Sequence, residues 1–270
     1  MAEEAKPPRE PLEVACEDLN VRPAASREEL EEAYHLVYTS YRQRGYLEPD
    51  PSELRFSVFN AFPTTVTFVA VLRSEEIVAT ISLVPDTSIG LPLDEIYHEE
   101  AQRLRDTGRQ LAEVTMLADR RLEIRRSLPM LLLLMKRVFD YATLILNAND
   151  LCITINPRHE TYYERYLLFK HLGGLKTYPS VRSNPALAKR LNLDTVRSEC
   201  EGNEKLVNEF FRERTPLEVL LAAYRMTPED IHYFLVERTS VLRRAPEEAV
   251  ECLRRFYPEC PWDQWRNGTT

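Results

Sequence analysis

Glu113 is the only ionisable residue in the apolar run Leu111-Ala112-Glu113-Val114-Thr115-Met116-Leu117. In an extended strand, alternation puts it on the same side as Leu111, Thr115 and Leu117. Burial there penalises the charged carboxylate and raises its pKa, as a general base working near neutrality requires. A structural Glu paired with an arginine would read the same way. A second polar cluster is Asn156-Pro157-Arg158-His159, followed by Tyr162-Tyr163. His159 and Tyr163 are four apart and share a face if the segment is helical; an imidazole or a phenol can shuttle a proton, and a His at a helix start can also be a cap. The third feature is a charge cluster. Arg120, Arg121, Arg125, Arg126, Lys136 and Arg137 face only Glu123 between positions 120 and 137, in a chain of net charge −8. Such a patch suits an acidic partner, or carboxylates of the chain's own helices.

These residues need a scaffold, and the pattern around them supplies one. Ser26 and Glu29 form a capping box ahead of a helix with Leu30, Ala33, Tyr34, Val37, Tyr38 and Tyr41 on one face, stopped by Gly45. Val66–Leu72 and Ile77–Val84 read as a hairpin, and Leu93–Leu104 as a second amphipathic helix with Gly108 as its cap. Leu111–Ala118 is then a strand, 120–127 a basic loop, and Pro129 the first residue of an apolar helix to about Asn147. Leu151–Ile155 is a buried-type strand, Tyr162–Phe169 a helix and Leu191–Val196 a last strand. Helical segments follow at 203–214, 216–225, 228–238 and 246–256. The fold class is α/β, a mixed central sheet with helices on both faces and the site at the strand ends, plus an all-α C-terminal extension. Residues 1–18 read as a flexible leader, 19–197 as the main domain and 198–270 as the extension.

Composition removes several functions. The seven glycines include neither a dinucleotide-binding fingerprint nor a P-loop. The longest apolar run, Leu128–Met135, is eight residues against the roughly 20 of a membrane span, so no transmembrane segment is expected. Five cysteines without a C-x-x-C suggest neither a disulfide framework nor a thiolate zinc site, and fit a reducing cytoplasm. His159-Glu160 opens like a zinc-protease motif, but Tyr163 occupies the second ligand position; no metal site and no bound cofactor are expected. Up to Arg197 the chain has 25 basic and 29 acidic residues, and 10 and 14 beyond it, so no overall field favours nucleic acid.

Several motifs in one order carry a family resemblance: Ala79-Thr80-Ile81-Ser82-Leu83-Val84-Pro85-Asp86, Leu91-Pro92-Leu93, Ala112-Glu113-Val114-Thr115, Asn156-Pro157-Arg158-His159, Tyr163 with Phe169, and Lys176-Thr177-Tyr178-Pro179-Ser180-Val181. Over roughly residues 20–195 the chain resembles the long-chain N-acyl amino acid synthases of the Fee type, relatives of the acyl-homoserine-lactone synthases within the GNAT acyltransferase fold. The resemblance implies transfer of a fatty acyl group from the phosphopantetheine thioester of an acyl carrier protein to the amine of an amino acid or similar small molecule. Acyl-phosphopantetheine or acyl-CoA would be a co-substrate. GNAT acetyltransferases usually hold the coenzyme A pyrophosphate on a Gly-rich loop, but Asp119–Leu128 has arginines and no glycine, which suits an acidic carrier protein better than a nucleotide.

On this resemblance Glu113 is the general base, and His159 and Tyr163 support proton transfer or positioning. Backbone amides of the strand steady the oxyanion. Thr115, Leu117, Arg120, Arg121, Arg125 and Arg126 lie on the donor side, and Tyr38, Arg42 and Arg44 on the acceptor side. Leu131, Leu132, Leu134 and Met135 either line an acyl pocket or are plain core. The chain departs from the family at Val37, where an arginine is usual, and at Ala79 and Leu168, where glycines are usual. A CoA-dependent N-acetyltransferase and a catalytically silent acyl- or protein-binding module are the rival readings.

Overall fold

The computed structural model describes residues 19–120, 124–200, 210, 211 and 213–267, with the side chains of 124–128 outside that description. The leader at 1–18, Arg121 and most of the helix expected at 203–214 lie outside the described residues.

Seven strands form one sheet: β1 (Leu19–Pro23), β2 (Val66–Leu72), β3 (Ile77–Pro85), β4 (Leu111–Asp119), β5 (Asp150–Ile155), β6 (Lys170–Tyr178) and β7 (Asn184–Asn192). Their order is β1-β2-β3-β4-β5-β7-β6, and every neighbouring pair is antiparallel except β4 with β5. That parallel pair requires a crossover, supplied by α3 (Ile124–Leu144). Successive residues of β2 show the two faces: Phe68 and Ala70 pack toward α3, whereas Val69 and Val71 pack toward α1 (Arg27–Gln43). Helix α2 (Asp94–Arg105) covers the α1 face farther along, where Tyr97 meets Leu111 and Ala188. Helix α4 (Glu160–Leu167) joins the α3 face through Tyr163 and Leu167.

The hairpin, the strand carrying Glu113 and the first two helices agree with their sequence patterns, and Ser26 caps α1 by accepting from the Glu29 amide. Four elements differ. β1 has only five residues, with Val21 and Pro23 turned inward, and pairs along its whole length with β2; a Pro-terminated edge strand leaves almost no hydrophobic period. The loop expected at 120–127 gives way at Ile124 to α3, so Pro129 lies inside the helix rather than at its start, removing one main-chain hydrogen bond. β6 is a polar edge strand in which Gly173 alone is buried, and its Gly173-Gly174 pair reads as a stop in sequence. The strand expected at 191–196 is displaced: β7 ends at Asn192, and Val196–Glu199 is a short helix, α5.

Gly173 has a specific partner. The Tyr97 ring lies across it so closely that an added Cβ would stand 2.5 Å from Cδ1, and the phenol oxygen sits 2.8 Å from the Gly174 carbonyl and 2.7 Å from that of Ala186. Gly173→Ala is expected to cost about 1–3 kcal/mol in chemical denaturation, because a fully buried tyrosine must give way.

The C-terminal helices are α6 (Leu217–Leu221), α7 (Pro228–His232) continuing into a π-helical turn at Tyr233–Arg238, α8 (Val241–Arg244), α9 (Glu247–Phe256) and α10 (Trp262–Asn267). They wrap the β1 edge. Leu220 joins the core on the α3 face, the Tyr224 amide donates to the Ala24 carbonyl at 2.9 Å, and Phe234, Leu235, Leu253 and Trp262 share one cluster with α1. No helix of the described residues is long and apolar enough to cross a membrane.

Candidate active site

The parallel pairing of β4 with β5 stops at Val114 opposite Ile153, although both strands continue. Beyond that point they diverge, and the main chain of β4 lacks a strand on that side. On its other side β4 carries a bulge. Ser82 opposes Thr115 and Thr80 opposes Ala118, so three steps of β4 match two of β3, with Met116 left-handed at φ 54°. This extra residue shifts the alternation. Glu113 and Thr115 stay on the α1–α2 face as the sequence pattern expects, but Leu117 turns to the α3 face, and Met116 and Ala118 pack toward α1.

A cavity of about 700 Å³ fills the gap between the diverging strands. Glu113, Thr115, Leu117, His159, Tyr163 and Arg44 all line it, so the structure gathers six sequence-nominated residues from three parts of the chain. Met130, Leu131 and Leu134 of α3 form an apolar wall, whereas Leu132 and Met135 fall outside it. Ala79, which stands where the family usually has glycine, is also on the wall. Leu168 is not. It is the left-handed C-cap of α4 at φ 59°, so a glycine there would serve the backbone rather than widen the cavity.

Glu113 is 2% exposed, and its Oε2 accepts from the Leu93 amide at 2.7 Å. Burial pushes its pKa up to about 8, with Asp94 adding to the rise and the Leu93 amide opposing it. No arginine of the described residues pairs with it. Leu93 is fixed in turn by the preceding turn, where Asp94 accepts from the Leu91 amide at 2.6 Å and Arg105 bridges Asp94 and Asp86. His159 Nε2 accepts from Arg158 Nε at 3.0 Å, which puts the ring proton on Nδ1; burial and the charges of Arg158 and Arg44 lower its pKa, so it is neutral at pH 7. Burial raises the Tyr163 phenol, which therefore acts only as a neutral hydroxyl.

Three nominated residues sit elsewhere. Tyr38 is buried against the Asp50 backbone, and Arg42 donates to the Leu47 carbonyl at 2.7 Å; neither lines the cavity. Arg120 pairs with Glu32 at 2.8 Å and Glu76 at 3.0 Å and donates to the Ile77 carbonyl, so its charge is taken up by the chain's own acids. Arg121 lies outside the described residues, and Arg125 and Arg126 fall in the first turn of α3.

The cavity also contains residues that sequence reasoning did not single out for a role. Arg55 and Tyr178 line it, and the charges of Arg55 and Glu113 both act on the Tyr178 phenol. Thr154 Oγ1 and Tyr162 Oη are buried with no hydrogen-bond partner among the described residues, and both residues are on its wall. Tyr178 belongs to the Lys176-Thr177-Tyr178-Pro179-Ser180-Val181 motif, but no periodicity marks Arg55 or Thr154 as cavity residues.

A buried carboxylate whose pKa is raised by burial, beside a bulged strand and the splay of a parallel pair, suits an enzyme that moves protons in an apolar cavity. Comparison with known proteins specifies which kind. The family model of the N-acyl amino acid synthase FeeM matches residues 32–192, and the chain belongs to that family. The solved structure of FeeM, from uncultured soil microbes, is 33% identical and covers 67% of this chain and 93% of its own, with a TM-score of 0.58. The acyl-homoserine-lactone synthase LasI shares the fold at 14% identity, covering 73% of this chain and 96% of its own, with a TM-score of 0.51. A search of curated proteins gave no significant match. The chain is thus an N-acyltransferase, and residues beyond 192 lie outside the family match.

Proposed function

We propose that the protein transfers a fatty acyl group from the phosphopantetheine thioester of an acyl carrier protein to the α-amine of an amino acid. The observation that carries this reading is Glu113, a buried carboxylate with no ion pair among the described residues and its pKa pushed up to about 8, at the wall of a largely apolar cavity. In its ionised form it takes a proton from the substrate ammonium, directly or through water, and frees the nitrogen lone pair. Nitrogen then attacks the thioester carbon. Main-chain amides of β4 beyond Val114 steady the oxyanion as it forms. As the C–S bond breaks, the nitrogen gives its second proton to water and the proton held on Glu113 passes to the thiolate, leaving an amide and a free thiol, with Glu113 ionised again and one proton released to solvent. Met130, Leu131 and Leu134 shelter the acyl chain, and the free hydroxyls of Thr154 and Tyr162 supply hydrogen bonds to polar groups of the donor arm. His159 and Tyr163, both neutral, position the reactants.

The carrier-protein donor rests on the glycine-free stretch 119–128 and on Arg121, Arg125 and Arg126, since Arg120 is committed within the fold. Mass spectrometry of reactions with mixed amino acids and either acyl carrier protein or coenzyme A, loaded with several chain lengths, tests it. N-acyl amino acids form from the carrier donor. Reversing Arg125 and Arg126 to Glu raises the KM for that donor by about 10-fold at low salt and leaves acyl-pantetheine unaffected. Products from acetyl-CoA alone would make the protein an acetyltransferase instead, and no product from any donor would make it a binding module.

A further inference from the structure

Among the described residues three guanidinium groups line the cavity, and they differ in what holds them. Arg44 donates to the Ser40 carbonyl at 3.1 Å and to the Ser40 hydroxyl. Arg158 donates to His159 and, at 2.8 Å, to the Tyr46 phenol. Arg55 has no hydrogen bond or ion pair to its guanidinium among the described residues, although it is only partly exposed. A half-buried cation without a partner is unfavourable unless a ligand supplies the anion. Its neighbours place it near the reaction: the Arg55 charge acts on the phenols of Tyr41 and Tyr178, and the Glu113 carboxylate acts on the same two.

The way Arg55 reaches the cavity is set by the C-terminal helices. Burial alternates over residues 54–57: Leu54 and Phe56 are buried, whereas Arg55 and Ser57 are partly exposed. Leu54 and Phe56 are each 6% exposed and pack into the cluster that holds the extension, with Phe56 stacked on Phe234 at 5.0 Å and Tyr34 edge-on to both rings. Arg55 and Ser57 therefore face the other way, into the cavity. Arg238 adds a hydrogen bond to the Ser52 carbonyl and an ion pair to Glu31 of α1.

We infer that Arg55 binds the α-carboxylate of the acceptor amino acid while its amine lies at Glu113, and that the C-terminal extension, through Phe234, presents Arg55 to the cavity. A guanidinium fits a carboxylate with two parallel hydrogen bonds, which selects free acids over amides and simple amines. The inference rests on the proposed acyl transfer, and it assigns a function to helices outside the family match.

The test compares α-amino acids with their carboxamides as acceptors, using acyl carrier protein as donor, in wild type, Arg55→Gln, Arg55→Lys and Phe234→Leu. In wild type kcat/KM favours the acid by about 10- to 100-fold. Arg55→Gln brings that ratio near one, and Arg55→Lys recovers part of it. Phe234→Leu raises the acceptor KM while the donor KM and kcat hold, a split that general loosening of the fold would not produce. Equal use of acids and amides by wild type, or an unchanged ratio in Arg55→Gln, overturns the inference and leaves acyl transfer standing. If wild type acylates no amine, acyl transfer fails, and calorimetric binding decides the remaining question. Preference for the acid over the amide, lost in Arg55→Gln, supports the carboxylate site; no preference overturns it.

Discussion

Glu113→Gln is expected to lower kcat by about 10²- to 10⁴-fold, the usual contribution of a positioned general base, with the far-UV spectrum unchanged. Glutamine keeps the shape and can accept from the Leu93 amide, but it cannot take a proton. In wild type kcat/KM rises with pH and levels above about 8, where the carboxyl becomes ionised; the variant loses that inflection. The same group has a signature in stability. An unfolded chain ionises Glu113 near 4.5, whereas the folded protein holds its proton to about 8. Between these values the native state binds more protons, so stability falls as pH rises through the window. Between pH 5 and pH 8 the variant should gain about 3 kcal/mol on wild type in urea denaturation. Parallel pH profiles for the two proteins would show that Glu113 is neither buried in its neutral form nor the base.

The candidate site was legible in sequence where local pattern governs it. Glu113 stood out because a carboxylate in an apolar strand is costly, and His159 and Tyr163 because they follow a strand end beside Asn156-Pro157. Leu117 was placed on the wrong face because a bulge centred on a left-handed methionine leaves no sign in composition. Arg42 and Arg55 are equally ordinary arginines in sequence. Only the tertiary packing of Leu54 and Phe56 against the C-terminal cluster turns Arg55 inward, while Arg42 is consumed by a backbone carbonyl five residues on. Likewise β1 and β6 are edge strands, one ending in proline and one polar, whose existence depends on pairing with distant partners rather than on any period of their own.

Asp140→Ala is expected to destabilise the protein by about 3–5 kcal/mol, because it strands a buried cation. Asp140 is fully buried on α3. It accepts from Lys136 at 2.6 Å, from Arg214 at 2.9 Å, and from the amide and hydroxyl of Thr215 at 2.9 and 2.6 Å. Burial alone would raise its pKa, but Lys136, Thr215 and Arg214 outweigh that and hold the carboxyl below its ordinary value. Its stabilising effect is therefore present near neutrality and is lost as pH falls through that lowered value. Arg137 completes the network by donating to the Thr215 hydroxyl and to the Val21 carbonyl of β1, so one turn of α3 ties the start of the extension to the sheet edge. Removing the carboxylate leaves the Lys136 ammonium, 6% exposed, without its anion, and Thr215 without its acceptor. Lys136→Met with Asp140→Leu removes both charges and should recover much of the loss, since a buried pair replaced by apolar groups of similar volume is often neutral. The measurement is the denaturation midpoint of the three proteins together with proteolysis after residue 210. A single variant as stable as wild type would mean the extension is held by Leu220 and the Phe234 cluster alone. If instead Asp140→Ala also raises the acceptor KM, the tether on the α3 face and the Arg55 wall on the α1 face act as one unit around the β1 edge.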